Sequence, residues 1–108
     1  VSSDETVASD AASQLESLYG WPASTAWAHL GITLMNGHTD QPSELFTTTT
    51  FTDLRGFAKA KHAAWLSFWS LNRDRPCTAP VEPWAPGNCS NIPQQKWAFT
   101  KIVAKYAG

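Results

Sequence analysis

The sequence predicts an α/β fold in the order helix, strand, helix, strand, helix, and three observations carry that prediction. Apolar residues recur at helical spacing in three segments, two short apolar runs between them are rich in β-forming residues, and each run ends abruptly in polar residues. The connection between the two runs is long enough for a crossover, so the strands are expected to be parallel. Two parallel strands and three helices neither close a barrel nor bury both faces of a sheet. The chain therefore reads as a single partial domain over 1–108, a slice of something larger.

The first helix opens on Ser2-Ser3-Asp4-Glu5, a Ser-x-x-Glu capping box, followed by Val7, Ala8, Ala11, Ala12, Leu15, Leu18 and Tyr19 at helical spacing. These residues predict a helix over 4–19, which Gly20 stops and Trp21-Pro22 turns away. A connector through Ser24, Thr25 and Trp27 leads to the first strand, 29–35, which gives way to the polar stretch from Asn36 to Glu44. Thr50-x-x-Asp53 marks the next helix start, and Phe51, Leu54, Phe57 and Ala58 mark one face of a helix reaching His62. The second strand, 64–69, carries Trp65, Phe68 and Trp69 and ends in Asn72-Arg73-Asp74. Arg73 and Asp74 are expected to pair with each other or with neighbours at the strand end. The last helix is read over 94–106, with Phe99, Ile102, Val103 and Tyr106 inward and Lys96, Lys101 and Lys105 on the wet face.

The 108 residues are 43% hydrophobic and 16% charged, an ordinary globular composition that argues against a disordered chain. A net charge of -1 with thinly spread Lys and Arg leaves no footprint for nucleic acid or an acidic membrane, and no run approaches the ~18 apolar residues of a membrane span. Val1, with no initiator Met and no secretory leader before it, reads as a processed or excised end. Cys77 and Cys89 lie in a loop containing Pro76, Pro80, Pro83 and Pro86, with Pro93 just beyond it. Lacking a second ligand pair for zinc, they read as a disulfide, which implies an oxidising, extracellular compartment. Asn88-Cys89-Ser90 fits the glycosylation sequon.

Trp69 is the leading candidate site residue: a large flat ring at a strand end, followed by polar residues, suits stacking on a sugar face. The alternative is that Trp65 and Trp69 are both core residues. Asp40 and Glu44, in one polar loop, read as solvated acids, because a catalytic pair needs a fixed separation that a loop gives poorly. His38 with Asp40 supplies two metal ligands at most, and His29 and His62 read as structural or exposed. No Gly-x-Ser-x-Gly elbow is present, and no cofactor is implied.

Four stretches, Leu30 to Met35, Glu44 to Thr47, Leu66 to Asp74, and Cys89 to Gln94 followed by Trp97 to Thr100, resemble the last part of family-eighteen glycoside hydrolases, the secreted microbial chitinases and chitinase-like proteins. The run Trp69-Ser70-Leu71-Asn72-Arg73-Asp74 ahead of a cysteine is the most specific of them. The resemblance implies the C-terminal segment of a TIM (β/α)8 barrel, from the sixth helix to the last, with a substrate groove over the C-terminal strand ends. It implies that Trp69 floors the subsite holding the sugar being cleaved, and that Met35, Asn36 and Asp40 lie at the groove end of strand seven. The family's acidic signature, D-x-x-D-x-D-x-E, is absent from the 108 residues, so hydrolysis is not expected of them alone. The implied ligand is chitin or a chito-oligosaccharide, and the implied partner is the remaining barrel portion or another copy. Two other readings stay open: a stand-alone binding or effector module, and a chitinase-like protein that serves protein contacts.

Overall fold

The computed structural model describes residues 2–41, 43–78 and 85–106. Val1, Pro42, Pro80 and Pro83, and the Ser2 hydroxyl of the expected capping box, lie outside the described residues.

Helix α1 runs Ser2–Tyr19 and ends where Gly20 takes a φ of 67°, its amide donating to the Glu16 carbonyl at 2.8 Å. A left-handed backbone suits glycine, which has no Cβ to clash, and the expected stop is found there. The connector contains a short helix, α2 (Ala23–Ala28), that periodicity did not reveal; it begins just after Pro22 and buries Ala26 and Trp27. Stacked rings brace this corner: Tyr19 on Trp21 at 4.6 Å, and Trp21 on His29 at 4.4 Å.

Strands β1 (Gly31–Met35) and β4 (Trp65–Trp69) pair in parallel, with Gly31 opposite Trp65 and Met35 opposite Trp69. Between them lie β2 (Gly37–His38) and β3 (Leu45–Phe46), a two-residue antiparallel pair, and helix α3 (Thr48–Lys61). The start of α3 corrects the expected cap. Thr47 and Thr50 form the capping box, one turn before the Thr50-x-x-Asp53 reading, and His62 closes the helix at a φ of 58°. A 3-10 turn at Leu71–Arg73 follows β4.

The last helix, α4, covers only Ala98–Ala104, shorter than the 94–106 expected. Its start is held back because Gln94 and the Trp97 amide are bonded to Asp74, and Trp97 itself takes a φ of 68°. Lys96, Lys101 and Lys105 are exposed, as expected of its wet face.

Alternation along the strands divides the sheet into two faces. Ile32, Leu34, Leu66 and Phe68 point into two apolar clusters: one built on Ala12, Trp27, Leu54 and Ala58, the other on Phe46, Phe51, Ile92 and Phe99. The opposite face carries Thr33, Met35, Trp65, Ser67 and Trp69, none of them buried. No helix among the described residues is long and apolar enough to cross a membrane.

Candidate functional site

Trp69 ends β4 with 66% of its surface exposed, on the open face and in register with half-buried Met35. Trp65, at the other end of the strand, is 58% exposed and its ring crowds Gly31, where any Cβ would meet it. The Thr33 and Ser67 hydroxyls join at 2.6 Å between them. The open face therefore has a polar middle and an indole at each end.

The polar stretch after β1 is only partly a surface loop. Asn36 is fully buried: its amide N–H donates to the Trp69 carbonyl at 3.0 Å, its Oδ1 accepts from the Ser70 N–H at 2.9 Å, and its Nδ2 donates to the Ser70 carbonyl at 3.3 Å. Its side chain thus acts on the backbone beneath the strand ends. Thr39, also buried, donates to Glu44 at 2.9 Å and accepts from the Gln41 amide at 3.0 Å, while Asp40 is exposed at the bend. Asp40 and Asn36 thus sit in different environments despite their closeness in sequence.

Arg73 and Asp74 are both buried, and each serves its own set of partners rather than the other, the second of the two expected arrangements. Arg73 donates through Nη1 to the Asn36 carbonyl at 2.6 Å, through Nε to the Pro86 carbonyl at 2.9 Å and through Nη2 to the His38 carbonyl. Burial pulls its guanidinium below the usual value, and the three carbonyl oxygens offset the lost hydration. Asp74 accepts from the Phe99 and Thr100 amides at 3.0 and 2.7 Å, from the Thr100 hydroxyl at 2.6 Å and from Gln94 at 2.8 Å. Its carboxylate therefore caps α4 from a distant part of the chain.

The disulfide joins Cys77 to Cys89 with Cα atoms 5.1 Å apart, and Asn88 of the sequon is exposed beside it. Ser90, next in the chain, is buried against Gly37: a Cβ on Gly37, whose φ is 81°, would collide with the Ser90 carbonyl. The His38 amide donates to that same carbonyl at 3.0 Å. The cysteine loop is in this way held against the end of β1.

A groove of about 380 Å³ lies elsewhere, along the free edge of β1 from Leu30 to Leu34, between that edge and Asp4, Val7, Ala8 and Ala11 of α1, with Glu44 at its rim. Burial and the Glu44 carboxylate raise the Asp4 carboxyl above the usual aspartate range. Among the described residues, no three His, Cys, Asp or Glu side chains come together as metal ligands. Trp69 thus offers a flat apolar surface for a ring, backed by a buried polar frame.

The chain is similar in structure to the catalytic domain of a hyperthermophilic chitinase from Pyrococcus furiosus, with a TM-score of 0.82 and 26% identity, over 92% of this chain and 32% of that one. The same values hold for catalytic-site mutants of active domain 2 of the thermostable Pyrococcus furiosus chitinase complexed with chito-oligosaccharides. The chain accordingly has a chitinase-like glycoside hydrolase fold and spans about a third of the length of those chains. No protein-family model matches it, and no curated protein matches it in sequence.

Proposed function

We propose that this chain is the C-terminal part of a secreted, chitinase-type (β/α)8 barrel, in which Trp69 stacks on a sugar of an N-acetylglucosamine polymer beside Met35 and Asp40. The observation that carries the reading is the exposed indole of Trp69 at the C-terminal end of β4, in a chain whose structural neighbours include a chitinase solved with chito-oligosaccharides. Ligands of such barrels lie over that end of the strands, and a flat apolar ring suits the C–H face of a pyranose. In the whole protein the reaction would be substrate-assisted, retaining hydrolysis of β-1,4 bonds. Its acid would come from outside these 108 residues.

The partner of this piece is the remaining barrel portion. The Asn36 amide donates to Trp69, and alternation in a parallel ladder then turns the backbone groups of Gly31, Thr33 and Met35 to the opposite edge of β1. No strand among the described residues pairs with that edge, and the groove beside α1 offers it room for one more. A disulfide that survives in the oxidising extracellular space agrees with secretion.

A second reading, a non-catalytic carbohydrate-binding module, is favoured by one observation: Trp65 and Trp69 are both exposed on the same face. Native mass measured together with turnover of a fluorogenic chitobioside tests the proposal. We expect no turnover from the 108-residue chain and turnover only in a heavier complex. Turnover that stays with the chain alone through purification would overturn it, whereas sugar binding that gains nothing when the remaining barrel portion is added would favour the module.

A further inference from the structure

We propose that Asn36 is the positioning residue of Trp69, setting the pose in which the exposed indole meets a sugar; the inference rests on the sugar-stacking reading above. With 66% of its surface exposed, Trp69 has little side-chain packing to hold its ring, so its pose depends on its backbone. That backbone is gripped by the residue that follows the neighbouring strand. Three hydrogen bonds from Asn36 straddle the peptide between Trp69 and Ser70: one to the Trp69 carbonyl at 3.0 Å, one from the Ser70 N–H at 2.9 Å and one to the Ser70 carbonyl at 3.3 Å. The ladder of β1 and β4 ends at Met35 and Trp69, so the Asn36 side chain takes the place of a further ladder residue where β4 turns into Leu71–Arg73.

Asn36 is itself held in place. It is fully buried, and Arg73 donates to its carbonyl at 2.6 Å, while the Arg73 amide donates to the Ser70 carbonyl at 3.0 Å. Asn36, Ser70 and Arg73 therefore form a closed circuit beneath the ring. Only a carboxamide of this length presents both a donor and an acceptor to Ser70: an aspartate offers acceptors alone, and a leucine neither. A support of this kind fixes a site residue that its own packing leaves loose.

The test labels the full 108-residue chain with 5-fluorotryptophan, which gives one fluorine position at each of its six tryptophans, and assigns the Trp69 resonance with Trp69→Phe. Asn36→Asp keeps the shape, replaces the donor to the Ser70 carbonyl with an oxygen, and adds a carboxylate beside the Arg73 guanidinium, whose Nη1 lies 3.5 Å from Oδ1. We expect the Trp69 resonance to shift or broaden while the others hold, and affinity for the N-acetylglucosamine tetrasaccharide to fall roughly tenfold. A folded Asn36→Asp chain with an unmoved Trp69 resonance overturns the proposal.

Should that variant fail to fold, hydrogen exchange of the wild-type Ser70 amide decides. Protection well above that of exposed loop amides supports the grip, and exchange at the loop rate overturns it. A wild-type Trp69 resonance that ignores the tetrasaccharide sinks the sugar-stacking reading instead, and the fluorine shift in Asn36→Asp still decides whether Asn36 sets the ring.

Discussion

Gly37 and Ser90 stand so close that a Cβ on the glycine would lie 2.7 Å from the Ser90 Cβ and closer still to its carbonyl oxygen. The contact joins the end of β1 to the loop closed by Cys77 and Cys89, and Gly37 also holds a φ of 81° that other residues rarely adopt. Gly37→Ala meets both obstacles at once. We expect it to destabilise the fold by about 2 to 4 kcal/mol, read as a lower denaturant midpoint with an unchanged slope.

The carboxylate of Asp74 does for α4 what a local cap would otherwise do, accepting from the Phe99 and Thr100 amides and the Thr100 hydroxyl. Asp74→Ala leaves these donors without their acceptor and should cost about 2 to 4 kcal/mol. Amide hydrogen exchange checks the mechanism, since protection should fall first at Phe99 and Thr100.

Opening the disulfide frees the loop that carries Ser90. Cys89 lies 12 positions after Cys77, and the double change to serine should lower stability by about 3 kcal/mol on the chain-entropy account. Unfolding of the intact chain with and without reductant checks this against the variant, and the two routes should give the same midpoint.

Asp4 makes stability depend on pH in the direction opposite to that of a salt-bridged carboxylate. Burial and Glu44 raise its folded value, so the folded state binds a proton more tightly than the unfolded state does. Its cost is absent below the unfolded value of about 3.9, grows as pH rises from there, and is complete above the raised folded value. Asp4→Asn should stabilise the chain at neutral pH and leave stability at low pH unchanged, as thermal melts at both conditions would read.

Much of the fold was legible because it is written in periodicity. Val7 to Tyr19, Phe51 to Ala58, and the apolar runs ending at Met35 and Trp69 gave α1, α3 and the two parallel strands close to where they stand. The rest depends on partners distant in sequence. Helix α2 is six residues of a connector, held by Trp27 in the core rather than by any repeat. Strands β2 and β3 pair over two residues each, too few to show alternation.

The site was legible to the same degree. An aromatic ring at a strand end marks Trp69, but nothing in Asn36-Gly37-His38-Thr39-Asp40 tells that the first residue is buried under Ser70 and the last exposed. The partners of Asp74 likewise stay hidden in the sequence, because Phe99 and Thr100 arrive from 25 and 26 residues away. Buried polar side chains answer to backbone groups, and those groups leave no pattern in the sequence.

The central claim is that the exposed face of Trp69 takes a sugar ring, and retention on chitin beads of the wild-type chain and of Trp69→Ala tests it most directly. The indole is largely outside the core, so the variant should melt within a few degrees of wild type. We expect the wild-type chain to be retained, and the loss of one stacked sugar contact to release the variant. A variant retained as well as the wild type, or a correctly folded wild-type chain that passes the beads freely, would contradict the account.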